Sequence, residues 1–353
     1  MSSNDGFHLQ CPIPLGSGDR IQMAHGGGGT LMNDLIEKVI LFSFSSGNPS
    51  QRHDSAVLDL QGRLAFTTDS YVVKPLFFPG GDIGSLAING TVNDLAMSGA
   101  QAKVLSCAFI LEEGLPFETL RRVVASMSRA AADSGVSIVT GDTKVVDAGK
   151  GDQLFVNTAG IGSISHSWDI GPQSVRPGDA VLVSGDLGRH GVAILAVRDG
   201  LAFETEVVSD CAPLWPAVKA LLDSGVEVHC LRDLTRGGLV STLNEIARDS
   251  KTQTVIEETS VPVLPSVAAA CELLGLDPLS VANEGRFAIY LPEAQVPKAL
   301  EALRGVPVSS GAVRIGRVES PVQGFSPRVL LKTALGSERL LDMLSGEQLP
   351  RIC

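Results

Sequence analysis

Four aspartates stand beside small residues at the ends of apolar segments: Asp54 in HDSAV, Asp69 in FTTDSYVV, Asp94 in GTVNDLAMSG and Asp142 in VTGDTKVV. Carboxylates set at turns suit Mg²⁺, which takes a few carboxylates together with phosphate oxygens and water. Read singly, each aspartate is more simply a turn or cap residue. Read together, in one half of the chain, the metal reading stands level with the plainer one. Lys144, just beyond Asp142, can neutralise phosphate charge or stabilise a developing anion. The run His25-Gly26-Gly27-Gly28-Gly29 precedes a helical pattern. It can turn several backbone N–H groups toward an anion at the positive end of that helix, and a plain hinge is an equal reading. Neither GxxxxGK[ST] nor a strand-borne GxGxxG occurs, so any nucleotide is held in some other way.

Two further stretches lie in the second half. Asp233-Leu234-Thr235-Arg236-Gly237-Gly238 opens a helical pattern, and Ala282-Asn283-Glu284-Gly285 precedes the apolar run RFAIYL. Local pattern makes Asp233 or Thr235 a helix cap, Arg236 a surface charge and Glu284 a solvent-facing residue. Cys353 closes the sequence. A terminal cysteine is usually an unremarked part of a frayed end, and a CaaX prenylation site would need it fourth from the end. A thiol on a long arm is nevertheless accessible, nucleophilic as thiolate and able to carry a group between sites. About twenty extended residues span tens of ångströms at ~3.3 Å each.

These groups need elements to position them. Leu31, Leu35, Ile36, Val39 and Ile40 form an apolar stripe behind Thr30, which predicts a helix capped at Thr30. Residues 55–60 and 63–68 flank Gln61-Gly62 and predict a hairpin. Helices are expected over 82–97 and 117–133, the latter with Leu120, Val123, Val124 and Met127 on one face, and strands near 104–111, 136–140 and 154–164. Pro172 and Arg176-Pro177-Gly178-Asp179 mark a boundary. Beyond it, strands near 180–185, 254–258, 286–291, 312–318 and 328–333 alternate with helices near 190–198, 213–223, 236–248, 266–274 and 293–304. Two such halves predict an α/β (α+β) chain of two domains. Residues 1–20 read as a loose arm. Gly346 and Pro350 argue against a terminal helix, so 334–353 reads as a mobile tail.

Composition narrows the class. A chain of 353 residues with 44% hydrophobic content can bury a large core. Its net charge of −11 gives no basic surplus for nucleic acid, while a nucleotide carried with Mg²⁺ stays open. The opening residues lack a basic start and an apolar run, and no stretch is long and apolar enough to span a membrane. Six scattered cysteines without a CxxC pair suit a reduced, cytoplasmic chain.

Longer motifs carry a resemblance. HGGGG, DSAV, FTTDSYVVKPLFFPGGDIG, NGTVNDLAMSGA, SCAFILEEGLP, IVTGDTKVV, LVSGDLGRHG, LRDLTRGG, ELLGLDPL, ANEG and the final PRIC together resemble the HypE family of hydrogenase maturation factors, from about residue 21 to Cys353. That family belongs to the aminoimidazole ribonucleotide synthetase superfamily, whose other members share the Asp-bearing motifs but not the final Pro-Arg-Ile-Cys. The resemblance implies an N-terminal ATP-binding and dimerisation domain over 21–172, a C-terminal domain over 173–333 and a flexible tail carrying Cys353. It implies a homodimer built on the N-terminal domains, with ATP and Mg²⁺ near the interface. Gly27, Gly28 and Gly29 then form the phosphate-side loop, with Asn93, Thr140 and Gly141 also at the nucleotide. Asp54, Asp69, Asp94 and Asp142 surround Mg²⁺ and the triphosphate. Lys144 faces the reacting phosphoryl group and Glu284 lies near the thiol of Cys353. The implied activity is ATP-dependent dehydration of an S-carbamoyl group on Cys353 to a thiocyanate, a cyanide source for [NiFe]-hydrogenase iron. The implied partners are the carbamoyltransferase HypF and the iron-carrying HypC–HypD pair. Two alternatives are a small-molecule ATP-dependent synthetase or kinase of the same superfamily, and a non-enzymatic assembly scaffold.

Overall fold

A computed structural model describes residues 19–44, 55–200, 207–322 and 324–343. The first half begins with a helical stretch: α1 (Thr30–Leu35), a π-helical turn (Ile36–Leu41) and α2 (Phe42–Phe44). Gly29, not Thr30, is the N-cap of α1, and no side chain caps it. Next come β1 (Arg63–Tyr71), the short pair β2 (Phe77–Phe78) and β3 (Gly81–Asp82), and α3 (Ile83–Met97). Then follow β4 (Ala100–Glu112), α4 (Phe117–Asp133), β5 (Ser137–Val146) and β6 (Leu154–Ile164). Asp82 starts α3 firmly, because its carboxylate accepts from Gly84 N at 2.7 Å and Ser85 N at 3.1 Å. Helix α4 buries Leu120, Val123, Val124 and Met127, the stripe its sequence announces.

The sheet order is β1-β6-β4-β5, with β4 and β5 parallel and the other pairs antiparallel. Residues paired across strands project on one face. The row Asp69–Thr158–Cys107–Gly141 therefore points toward the helices, and the next row, Ser70–Asn157–Ala108–Asp142, points away. Among the described residues no helix covers that second face, where Leu64, Phe66 and Ile110 are 45%, 70% and 44% exposed. The expected hairpin at Gln61-Gly62 does not form. Residues 55–60 hold no strand, and Val57 lies open to solvent. Strand β1 instead pairs along its whole length with β6, which offers a longer apolar partner.

The second half contains β7 (Asp179–Val183), α5 (Arg189–Arg198), α6 (Trp215–Asp223), β8 (Cys230–Asp233) and α7 (Gly238–Ser250). It continues with β9 (Gln253–Glu257), α8 (Pro265–Leu274), β10 (Phe287–Pro292), α9 (Val296–Arg304), β11 (Val313–Glu319), β12 (Val329–Lys332) and β13 (Glu338–Leu340). Seven strands lie in the order β13-β12-β9-β11-β7-β10-β8. The tail expected from Ala334 starts as part of this sheet. Strand β13 pairs with β12, Leu341 is buried, and Asn244 Nδ2 donates to Leu341 O at 2.8 Å. An apolar side chain with a slot to fill overrides the loose pattern around it.

Helix α3 joins the halves. Ala96 and Met97 pack with Leu214, Leu231 and Phe287 of the second half, while Ile194 and Ala282 enter the first-half core. That docking encloses a space beside α3.

Candidate active site

The space is a cavity of about 370 Å³. Strand β1 supplies Thr67, Asp69 and Tyr71, and α3 supplies Gly90 and Asp94. The second half supplies Arg232, Asp233, Thr235 and Arg236 from the end of β8 and the loop before α7, and Glu284 from the loop before β10. Thr67 Oγ1 donates to Asp94 Oδ2 at 2.8 Å, which fixes one carboxylate oxygen. Gly90 is required by Tyr71, since a Cβ there would stand 2.3 Å from the phenol oxygen.

Four carboxyls share this low-dielectric space. Burial raises Asp94, with Asp69 adding repulsion against the Thr67 hydrogen bond. Burial pushes Asp233 up to about 7, and Asp94 adds to it. Glu284 is only 4% exposed and is raised well above the usual carboxyl range, by burial first and then by Asp233, Asp210 and Asp69. Burial likewise raises Tyr71. Like charges crowded away from water are costly, and a divalent cation bound among them relieves the cost. The chemistry of this donor set fits Mg²⁺. Among the described residues, no group of three or more His, Cys, Asp or Glu side chains is already drawn together at a metal-holding geometry.

The second half holds its contribution in place by backbone hydrogen bonds. Asp210 accepts from Glu284 N at 3.1 Å and Gly285 N at 3.2 Å, so the turn bearing Glu284 is anchored from below. Asn93 is part of this scaffold. Its Nδ2 donates to Ala212 O at 3.0 Å and to Glu284 O at 3.4 Å, and its Oδ1 accepts from Leu214 N at 2.7 Å. A buried amide used in this way ties the halves together, with both of its hydrogens engaged in backbone contacts rather than turned to the cavity.

The remaining expected residues lie elsewhere. Asp142 and Lys144 are exposed on the uncovered face of β5, and Lys144 Nζ lies 2.7 Å from Asp142 Oδ2. The Lys144 hydrogen bond, with one from Thr143 N, holds the Asp142 carboxyl below its usual range. Three strand steps of ~4.8 Å separate the β1 and β5 edges, roughly 14 Å, so one chain does not join Asp142 to Asp69 and Asp94. The expected four-aspartate cluster is therefore not formed within the described residues.

The glycine run adjoins this second region. Gly28 is left-handed at φ 77, and Gly26 packs so tightly on Val145 of β5 that a Cβ would meet its backbone N at 2.8 Å. Gly27 and Gly29 flank that turn ahead of α1. Beside it, Ile36, Ile40, Leu41 and Phe44 face Cys107, Phe109 and residues 138–143, including Thr140 and Gly141, across an apolar cavity of about 140 Å³. Gly141 is also obligatory: a Cβ would fall 2.0 Å from Cys107 O. Asp54 and Cys353 lie outside the described residues.

Sequence reasoning missed Asp233 and Arg236 and read Glu284 as solvent-facing. A signal was available only jointly, since two acidic residues and an arginine in two short loops reach one cavity when both loops meet α3.

Residues 52–164 match the model for the AIR synthase related protein, N-terminal domain, and residues 176–325 match its C-terminal domain. The carbamoyl dehydratase HypE of Rhodobacter capsulatus is 50% identical over 338 residues, 95% of this chain and 98% of that protein. The chain belongs to the HypE family. HypE of Cupriavidus necator is 48% identical across 100% of both chains, and HypE of Escherichia coli is 46% identical across 95% of this chain and 100% of its own. The crystal structure of a HypE in complex with ATP superposes with a TM-score of 0.90 at 51% identity, over 94% of this chain and 99% of that one. HypE from a HypE–HypF complex superposes with a TM-score of 0.77 at 41% identity, over 90% and 100% of the two chains. Thiamine monophosphate kinase from Aquifex aeolicus, at 19% identity and a TM-score of 0.58 over 76% and 87%, shares the fold alone.

Proposed function

We propose that this chain catalyses ATP-dependent dehydration of an S-carbamoyl group on Cys353 to a thiocyanate, the cyanide source for [NiFe]-hydrogenase iron. The observation that carries the reading is the buried carboxyl cavity, with Asp69, Asp94, Asp233 and Glu284, in a chain half identical to a carbamoyl dehydratase. Family membership favours this reaction over a free small-molecule substrate and over a scaffold without chemistry.

The difficulty of the reaction is the amide oxygen, a poor leaving group. Its attack on the γ-phosphorus of ATP converts it into a phosphate ester and releases ADP. The carbon–oxygen bond then breaks, phosphate departs, and the nitrogen loses two protons as the nitrile forms. One proton is carried by phosphate and one reaches solvent. Glu284 serves as the base once positive charge beside it lets the buried carboxyl ionise, and the carboxylate then binds a proton more tightly than a solvated one. Asp69, Asp94 and Asp233 would hold Mg²⁺, which would supply charge neutralisation at the phosphates. Gly27, Gly28 and Gly29 form the phosphate-side loop, and the apolar cavity against Thr140 and Gly141 takes the base of the nucleotide. A thiol carried on the chain itself makes the step intramolecular, which is worth on the order of 7–11 kcal/mol when well placed.

Pairing completes the site. The open sheet face with Leu64, Phe66 and Ile110 is an apolar patch of the kind that marks an interface. A homodimer formed on it brings Asp142 and Lys144 of a second copy toward the nucleotide. The similarity to the chain in a HypE–HypF complex supports HypF as the carbamoyl donor's carrier. A HypC–HypD pair then receives the cyanide.

Intact mass spectrometry after incubation with the carbamoyltransferase, carbamoyl phosphate and ATP tests the reading. The expected products are a carbamoyl adduct and then the same adduct less one water, both absent in Cys353→Ala. Water loss in Cys353→Ala would remove Cys353 from the reaction.

A further inference from the structure

The loop from Asp233 to Gly238 brings a charge that the steps above do not use. Leu234 N donates to Arg286 O at 2.9 Å, and Asn283 donates to Leu234 O through its N at 2.9 Å and its Nδ2 at 3.1 Å. The loop is thus bonded to the segment that carries Glu284. Gly237 and Gly238 are both left-handed, at φ 75 and 58, and a Cβ on Gly238 would stand 2.6 Å from Val281 O. A chain turned this tightly gives Arg236 a fixed origin in the cavity wall.

Arg236 lines the cavity opposite Asp69 and Asp94. Neighbouring Arg232 is already paired with Glu245 at 2.6 Å. Arg236 makes no hydrogen bond and no ion pair within 4.0 Å among the described residues, although its field does reach Asp94. Among the described residues the cavity therefore holds four carboxyls and two guanidiniums, and of the two Arg236 is the one with no ion-pair partner. A phosphoryl group entering an acidic space needs positive charge from a direct donor as well as from a metal, and a planar guanidinium matches two phosphoryl oxygens at once.

We propose that Arg236 is a catalytic residue of the phosphoryl-transfer step, donating to the γ-phosphoryl oxygens as they pass from ATP to the carboxamide oxygen. This rests on the reading that the cavity holds the reacting end of the triphosphate. The bond that forms joins the carboxamide oxygen to the γ-phosphorus, and the bond that breaks joins that phosphorus to the β–γ bridging oxygen. The electron pair leaves with ADP. Arg236 exchanges no proton; it stabilises charge spread over the three equatorial oxygens.

The test uses the full chain, carbamoylated at its thiol, with wild type, Arg236→Ala, Arg236→Lys and Asp94→Asn compared in single-turnover ADP formation and in ATP affinity. Arg236→Ala is expected to slow turnover by roughly 10³-fold while ATP affinity changes by less than about threefold. Arg236→Lys recovers part of the rate, and added guanidinium partly rescues Arg236→Ala, which a merely structural arginine would not allow. A rate for Arg236→Ala within about threefold of wild type, or a loss confined to ATP affinity, overturns the proposal. If Asp94→Asn turns over normally, the cavity reading fails and this one with it. If Asp94→Asn is inactive while Arg236→Ala is normal, only the role of Arg236 falls.

Discussion

The cavity beside α3 and the β5 edge with its glycine loop both carry expected site residues, yet their electrostatics run in opposite directions. In the cavity, burial and mutual repulsion raise Asp94, Asp233 and Glu284. On the β5 edge, a solvent-exposed Lys144 lowers Asp142. The first arrangement stores unfavourable charge that a bound cation can relieve, and the second is already neutral in itself. A site that must attract a metal and a base with tight proton affinity needs the first kind. A surface that must later meet another body at little desolvation cost needs the second.

Several changes would break or sharpen this contrast. Asp94→Asn should have the largest effect, lowering dehydration turnover by roughly 10³-fold, because it removes a carboxylate from the centre of the cavity. Turnover near wild type would shift the chemistry away from α3. Next comes Phe66→Glu on the open sheet face. If the two regions act together only in a pair of chains, sedimentation should show monomers and turnover should fall by roughly 10²-fold, the scale of a misplaced catalytic group. A monomer with full activity would show that one chain suffices.

Gly141→Ala probes the β5 edge alone. A Cβ would fall 2.0 Å from Cys107 O, so a loss of about 1–3 kcal/mol in thermal or denaturant unfolding is expected, with Asp94 and Glu284 undisturbed. An unchanged midpoint would mean that β4 and β5 can part without cost.

Asp233→Asn should have the smallest effect and the most telling sign. Asp233 rises from its ordinary 3.8 to about 7 in the folded chain, so its contribution to stability is complete below about pH 4 and is lost as pH rises toward 7. Metal-free protein should lose stability across that window. Asp233→Asn should flatten the loss, read from urea unfolding at several pH values. Asp142 acts in the other sense, with stability present above its ordinary value and lost on acidification. A variant of Asp233 that leaves the profile unchanged would place the carboxyl in water.

The ease with which each residue could be read from sequence follows the range of the interactions that place it. Asp69 and Asp94 read locally as turn or cap residues, yet Asp69 lies within β1 and Asp94 within α3, a helix buried on nearly every side, so tertiary contact and not periodicity brings them to the cavity. Asp233 and Glu284 look like a helix cap and a strand approach, and only the packing of both loops against α3 takes them out of water. The resemblance put Asn93 at the nucleotide, whereas its amide is turned to Ala212 and Leu214. The hairpin at Gln61-Gly62 failed for a similar reason: a turn signal is local, while β1 had a better partner some ninety residues away in β6.

By itself the sequence determined the two α/β halves, the strand and helix periods and a set of family motifs specific enough to name the chemistry, since these depend on residues close together in the chain. The tertiary structure alone decided which acidic groups share one cavity, which amide became a tie between halves, and that Asp142 and Lys144 stand on the opposite face from Asp69. Those outcomes depend on burial, and burial is a property of two surfaces meeting, which no single stretch of residues contains.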